Sequence, residues 1–180
     1  LGGEGFFLEN RGYFWGMLET RPYMRARIYL AQTLGEAGRI GEAIAHYEAM
    51  LDLNPGDNQG LRYPLIGLYL ETGDVGGVHR LLRMHEDDGA VFAWSRVLAR
   101  LLSGDTSRTE NDLHRARSSN PHVEGCLLGR KALPSEMPDY YGCGDENEAV
   151  MCVDAIGNAW KRRPEAMSWL RKHAGHSQGQ

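Results

Sequence analysis

The stretch Met24–Pro55 places the tightest constraint on the fold, because its apolar residues recur at helical spacing on either side of one glycine. Gly38 interrupts the pattern, and Pro55 ends it, since proline has no backbone N–H and clashes with the preceding helical turn. The two apolar stripes are formed by Leu30, Ala31 and Leu34, and then by Ala43, Tyr47 and Met50. The stretch therefore predicts two amphipathic helices joined by a tight turn.

The same pattern recurs further along the chain. Gly73 follows Gly38 at nearly the period of about 34 residues that is typical of tetratricopeptide repeats (TPRs). Gly104 predicts a third turn, and Asn120-Pro121 repeats Asn54-Pro55. Small residues within each stripe allow paired helices to cross closely, so that successive hairpins can stack. The predicted fold class is therefore all-α, a TPR-like α-solenoid of about three helical hairpins with a C-terminal helical cap.

Four segments are predicted along the chain. Residues 1–20 form an aromatic lead-in, residues 21–122 the TPR-like repeats, residues 123–172 the helical cap, and residues 173–180 a disordered polar tail. The lead-in is interpreted as a cap on the open end of the repeats, with an aromatic docking patch as the alternative. Within the cap, a loop carries Tyr140-Tyr141, which we expect to pack back onto the helices. The aromatic residues of the lead-in are Phe6, Phe7, Tyr13, Phe14 and Trp15.

Composition excludes several classes of function. The net charge of −4, with both signs mixed along the chain, argues against nucleic-acid binding. Three cysteines, Cys126, Cys143 and Cys152, lack CxxC spacing, so we expect no disulfide framework and a cytoplasmic location. No apolar run is long enough to predict a membrane span, and no signal peptide is expected. The first residue, Leu1, is consistent with a fragment of a longer protein.

Several long motifs resemble those of a known family. A family of bacterial TPR proteins has stretches that resemble Phe14–Arg25, Leu53–Tyr63, Asn120–Val123, Leu127–Lys131 and Asp145–Trp160. The later stretches also resemble the C-terminal part of the eukaryotic suppressor-of-tumorigenicity family, which shares Asn-Pro-His-Val and a Trp-Lys-Arg helix. The resemblance implies an all-α TPR-like fold over nearly the whole chain. It implies almost no biochemistry.

A partner-binding groove is predicted from the TPR pattern, because TPR stacks bind extended peptides along their first helices. Arginine suits an acidic or C-terminal segment, since its planar fork can donate two parallel hydrogen bonds to a carboxylate. The alternative is that Arg25 and Arg62 pair internally with Glu19 or Asp57. In the second repeat the groove would be lined by Gly60, Tyr63, Gly67 and Leu70. The predicted partner-binding residues are Arg21, Arg25, Ile28, Gln32, Arg62 and Tyr63.

Other chemistry has little support in the sequence. The lysine and asparagine clamp of chaperone-binding TPR domains is disfavoured, because Ile28 and Gln32 occupy those positions. Asp57–Gly60 is interpreted as a helix cap rather than a polar binding loop. We expect no catalytic, cofactor-binding or metal-binding residues and no nucleic-acid or membrane partner. The predicted function is a non-enzymatic protein–protein interaction scaffold or adaptor. A self-associating homo-oligomer is the first alternative, and a divergent enzyme is the second.

Overall fold

The computed structural model describes residues 3–87 and 89–174, and all regular structure within these ranges is helical. The all-α class predicted from the sequence is therefore confirmed. A short 3-10 helix, Leu18–Thr20, precedes the first long helix. The α-helices are α1 (Glu4–Glu9), α2 (Arg21–Glu36), α3 (Ile40–Leu53), α4 (Arg62–Thr72), α5 (Val75–Met84), α6 (Ala90–Ser103), α7 (Thr109–Ser119), α8 (Val123–Leu127), α9 (Glu146–Lys161) and α10 (Pro164–His173).

Contacts along the backbone group the chain into two compact units, Leu1–Leu68 and Tyr69–Gln180. The boundary falls within α4, so this helix contributes to both units. The segment boundaries predicted from the sequence are not tested by this grouping and stay predictions. His173, which the sequence assigned to the tail, is the last residue of α10, and residues 175–180 lie outside the described part of the chain.

The first unit is built on the antiparallel hairpin of α2 and α3. Its core contains the predicted second stripe of α3, and Ala31 and Leu34 of the first stripe are buried with it. Leu30 does not belong to this core, because 46% of its surface is exposed, and Met24 takes its place as a fully buried residue. The correction follows from helix geometry, since Leu30 lies about 100° around the helix from Ala31. The buried residues of α3 include Ala43, Tyr47 and Met50.

The aromatic lead-in packs on this hairpin. Phe14 is fully buried, with its ring centroid 5.0 Å from that of Phe7 and 6.1 Å from that of Tyr23 on α2. The backbone N–H of Phe14 donates to the carbonyl oxygen of Leu53 at 3.2 Å, which fixes the lead-in against the end of α3. The sequence did not predict the short helix Glu4–Glu9, because Gly5 within it and Gly3 before it disfavour helix formation.

The predicted turn glycines lie where the sequence placed them. Gly38, Gly73 and Gly104 each follow the first helix of a hairpin and adopt φ values of +77°, +76° and +73°. Residues with a side chain rarely adopt this left-handed conformation, and glycine is favoured because it has no Cβ. The positions of the three turns are confirmed.

Alanine substitutions in one hairpin should separate backbone conformation from side-chain packing. An added Cβ has nothing within 4 Å at either Gly38 or Gly35, so packing is the same at both positions. Gly38→Ala should lower the free energy of unfolding by about 1 kcal/mol, because alanine is strained at positive φ. Gly35→Ala, inside α2, should raise it by up to about 1 kcal/mol, because alanine favours the helix. Urea unfolding followed by circular dichroism measures both changes. If the two substitutions change the free energy of unfolding in the same direction, the left-handed turn at Gly38 is contradicted.

The second unit is organised around α6, against which α5, α7, α9 and α10 pack. Its largest buried side chains are Trp94 on α6 and Trp160 on α9. Their rings meet edge to face, with centroids 6.2 Å apart and planes inclined by 67°. This arrangement is favourable for aromatic pairs and fixes α9 against α6.

A buried carboxylate joins three distant parts of the second unit. Glu148 of α9 is only 6% exposed, and its Oε1 accepts a hydrogen bond from the N–H of Ala90 at 3.0 Å. Its Oε2 accepts from Nδ2 of Asn120 at 2.9 Å and from the N–H of Gly144 at 2.6 Å. The start of α6, the end of α7 and the start of α9 are therefore held together by one side chain. Asn120 belongs to the Asn-Pro-His-Val motif.

The α8–α9 loop, residues 128–145, has no helix or strand and lies largely in solvent. The prediction that Tyr140-Tyr141 packs onto the helices is wrong, since the two side chains are 79% and 47% exposed. Asn147 holds the backbone here, donating from Nδ2 to the carbonyl oxygen of Tyr140 at 3.0 Å. Pro134 and Pro138 disfavour helix in the residues before them, in agreement with a loop that has no regular structure.

No helix in the described ranges is both long enough and apolar enough to cross a lipid bilayer.

Candidate partner-binding site

Four of the predicted site residues share one face of α2. Arg21, Arg25, Ile28 and Gln32 are separated by four, three and four positions, so they form a single line along the helix. We call this line the α2 stripe. Arg25 and Gln32 are exposed, while Arg21 and Ile28 are half-buried. The stripe adjoins the buried face of α2 and provides one apolar, one amide and two cationic side chains to solvent.

The two arginines of the α2 stripe differ in how they are held. Arg21 donates from Nε to the carbonyl oxygen of Trp15 at 3.0 Å, and its guanidinium lies 5.1 Å from the centre of the Trp15 ring. These contacts orient the side chain without cancelling its charge. No carboxylate in the described part of the chain lies within ion-pair distance of Arg21 or Arg25. The alternative that Arg25 pairs with Glu19 therefore has no support.

Arg62 and Tyr63 lie in the first turn of α4 and form a separate cluster with Asp57. The Arg62 guanidinium makes an ion pair with Oδ2 of Asp57 at 2.9 Å and donates to the Tyr63 hydroxyl at 2.8 Å. Asp57 has no exposed side-chain surface, and its Oδ1 accepts from the N–H of Leu61 at 2.7 Å. The interpretations of Asp57 as a helix cap and as an internal partner of Arg62 are both confirmed. Arg62 is consequently a less available cation than Arg25.

Replacing Asp57 with asparagine should destabilise the first unit. Asparagine keeps one acceptor oxygen and no charge, so it cannot replace both the hydrogen bond from the N–H of Leu61 and the ion pair with the half-buried guanidinium of Arg62. We expect the free energy of unfolding to fall by about 1–3 kcal/mol, the range for hydrogen bonds to charged groups. The exposed pair of Arg11 and Asp52 offers a control, because Asp52→Asn should change stability little. Equal thermal shifts for the two variants would contradict the structural role of Asp57.

The predicted groove does not continue along α4. Gly67 is buried and Leu70 is fully buried, so neither can contact a guest, and both assignments are wrong. The reason is that α4 is apolar on more than one side, with Leu65 and Ile66 buried as well. A helix that is apolar on most of its surface is packed on most of its surface. Of the predicted groove residues on α4, Tyr63 in the first turn remains partly exposed.

Sequence reasoning missed one residue beside the α2 stripe. Tyr29 is 69% exposed and lies one helical turn after Arg25. An aromatic residue outside the apolar stripe of an amphipathic helix is the signal that could have identified it. Tyr29 adds a large amphipathic side chain beside the exposed arginine, and aromatic residues of this kind are enriched in protein interfaces.

Two of the three cysteines, Cys126 and Cys152, are buried. Burial raises the pKa of the Cys126 thiol and raises the pKa of the Cys152 thiol well above its ordinary value. Few of these thiols are therefore in the nucleophilic thiolate form at neutral pH. Residues 3–87 and 89–174 contain no group of three or more His, Cys, Asp or Glu side chains placed to hold a metal ion.

Comparison with known proteins agrees with the helical-hairpin organisation. The tetratricopeptide repeat family model matches residues 34–101, less than half of the chain, from the end of α2 into α6. This match and the paired helices make the chain similar to a TPR-like α-solenoid, and TPRs generally mediate protein–protein interaction. Neither the curated proteins nor the solved structures gave a significant match. The bacterial origin and the similarity to the suppressor-of-tumorigenicity family stay predictions.

Proposed function

We propose that this chain is a cytoplasmic interaction scaffold or adaptor that binds an acidic or C-terminal protein segment on the α2 stripe. The observation that carries the proposal is Arg25, an exposed cation with no described carboxylate partner, on a helix face that also presents Ile28 and Tyr29. A guanidinium beside apolar and aromatic surface can bind a carboxylate and bury the neighbouring side chain of the guest.

Each residue of the stripe has a distinct part in this proposal. Arg25 binds the guest carboxylate, and Arg21 adds positive charge in an orientation set by Trp15. Ile28 contacts an apolar side chain of the guest, and Gln32 can donate to and accept from its backbone. The expected specificity is therefore for an acidic side chain, or a free C-terminal carboxylate, with an apolar side chain next to it.

Arg62 and Tyr63 have a secondary part in the proposed site. Because Asp57 offsets the charge of Arg62, these residues offer a planar guanidinium and an aromatic ring rather than net positive charge. Cζ of Arg62 lies 4.4 Å from the centre of the Tyr63 ring. This contact holds both side chains in a fixed orientation. A preorganised pair of this kind can contact a guest at little entropic cost.

Short fluorescent peptides titrated into the full chain test the proposal. The set contains an acidic apolar peptide, the same peptide with an amidated C terminus, and its neutral and basic counterparts. Arg25→Ala should weaken binding of the acidic peptide by about tenfold, the loss of one charge-assisted hydrogen-bonded contact. Gln32→Ala should weaken it less. Arg115→Ala, at an exposed arginine of α7, is the matched control and should leave binding unchanged.

Two results would contradict the proposal. One is an acidic peptide that binds the wild type and the Arg25→Ala variant equally. The other is the absence of any preference for acidic over basic peptides at low salt, where attraction between exposed charges is screened least. Circular dichroism of each variant, compared with the wild type, shows whether the helices are intact.

A further inference from the structure

The α8–α9 loop has the chemistry that the α2 stripe is proposed to recognise. Its carboxylates at Glu136 and Asp139 are exposed, and neither makes an ion pair with another residue in the described part of the chain. Pro134 and Pro138 disfavour helix in the residues before them, so the exposed loop can bind a helix face in the manner of a peptide. The exposed apolar side chains of the loop are Leu133, Met137, Tyr140 and Tyr141.

The order of the charged residues along α2 is complementary to their order along the α8–α9 loop. On α2, the cation Arg25 precedes the exposed carboxylate Glu36 by eleven positions, which corresponds to about 16 Å along a helix axis. In the loop, the exposed cation Arg130 precedes Glu136 by six residues, which span about 20 Å when nearly extended. An antiparallel arrangement would therefore place Glu136 near Arg25 and Arg130 near Glu36.

We propose that residues 130–141 of one copy bind the α2 stripe of a second copy, with Glu136 paired to Arg25 and Arg130 paired to Glu36. The inference rests on the proposed function and names its partner as another copy of this chain. Leu133 of the loop, which lies between Arg130 and Glu136, contacts Ile28 and Tyr29 in this register, which removes apolar surface from water on both sides.

The proposed contact is heterologous, since the loop and the stripe are different surfaces of the chain. Each copy therefore has one of each surface free, and association produces rings or open chains rather than a closed twofold dimer. One short segment on one helix face buries less than the roughly 1,200 Å² typical of stable complexes, so the contact is weak and depends on concentration.

Light scattering of the full chain over a range of concentrations tests this inference directly. The average mass of the wild type should rise with concentration and fall when salt is added, because exposed charge pairs are screened. Arg25→Glu should abolish the rise, and so should the double variant Glu136→Lys, Asp139→Lys. All three substitutions in one chain should restore it, because the charges are exchanged rather than lost. Arg115→Glu on α7 is the control and should associate like the wild type.

Three results would overturn the inference. They are a wild type that stays monomeric at every concentration, a mass increase that neither charge reversal affects, and a triple variant that does not recover. A peptide of residues 130–141, titrated into the full chain, separates the possible causes. If the peptide binds the α2 stripe while the full chain stays monomeric, the loop does not link one copy of the chain to another.

The same peptide distinguishes failure of the inference from failure of the proposed function. A chain that binds unrelated acidic peptides through Arg25, but not the loop peptide, retains the proposed function and loses this inference. A chain that binds none of them loses both.

Discussion

Replacing Glu148 with alanine is expected to lower the free energy of unfolding by about 3–5 kcal/mol, the cost of breaking a buried charged network. The substitution removes the acceptor of the Ala90 and Gly144 backbone N–H groups and one acceptor of the Asn120 amide. Two backbone donors are then left without their partners in an environment with little water, which is the costly step. Urea unfolding monitored by circular dichroism measures the loss.

Two further variants make this test specific. Glu148→Gln keeps the shape of the side chain and one acceptor oxygen, so its effect should be smaller than that of alanine. Glu146→Ala lies two residues earlier on α9, where the side chain is exposed and makes a surface ion pair with Lys131, so it should alter stability little. If Glu146→Ala and Glu148→Ala destabilise the protein equally, Glu148 does not join the three parts of the second unit.

Replacing Trp160 with alanine should be equally severe, with an expected loss of about 3–5 kcal/mol. Trp160 is fully buried and packs edge to face on Trp94, so alanine leaves a cavity between α9 and α6. Its indole N–H has no hydrogen-bond partner among the described atoms. Trp160→Phe therefore breaks no hydrogen bond. It should lower the free energy of unfolding less than Trp160→Ala does, because phenylalanine keeps part of the aromatic ring.

Chemical unfolding of the two Trp160 variants, followed by fluorescence of the remaining tryptophans, measures these losses. Trp169→Ala serves as a control, since Trp169 is only half-buried and stacks on His173 at a centroid distance of 4.0 Å. Trp169→Ala should lower the free energy of unfolding clearly less than Trp160→Ala does. A change below about 1 kcal/mol for Trp160→Ala would contradict a close-packed contact between α6 and α9.

Local signals in the sequence predicted most helix positions. The second of the two helices predicted within Met24–Pro55 corresponds to α3, because its apolar periodicity is bounded by Gly38 at one end and by Asn54-Pro55 at the other. Asp145 directly precedes α9 and caps it, since its side chain accepts the N–H of Glu148 at 2.7 Å. Caps and turns depend on a few adjacent residues, so one sequence is enough to find them.

Features that depend on distant contacts could not be predicted in this way. Glu148 and Ala90 are 58 residues apart, and nothing near Glu148 in the sequence indicates that its side chain is buried. The exposure of Leu30 and the burial of Leu70 likewise depend on which neighbours cover each helix. Of the candidate site, the sequence identified the line of α2 residues but not Tyr29, and it left open whether Arg62 binds a partner or pairs with Asp57.

The central claim is that the exposed charge at Arg25 selects an acidic partner. The most direct measurement is a titration of matched acidic and basic fluorescent peptides into the wild type and the Arg25→Glu variant. Reversing the charge should weaken binding of the acidic peptide by at least about tenfold and strengthen binding of the basic peptide. Equal affinity of both proteins for the acidic peptide, with helical content unchanged, would contradict the claim.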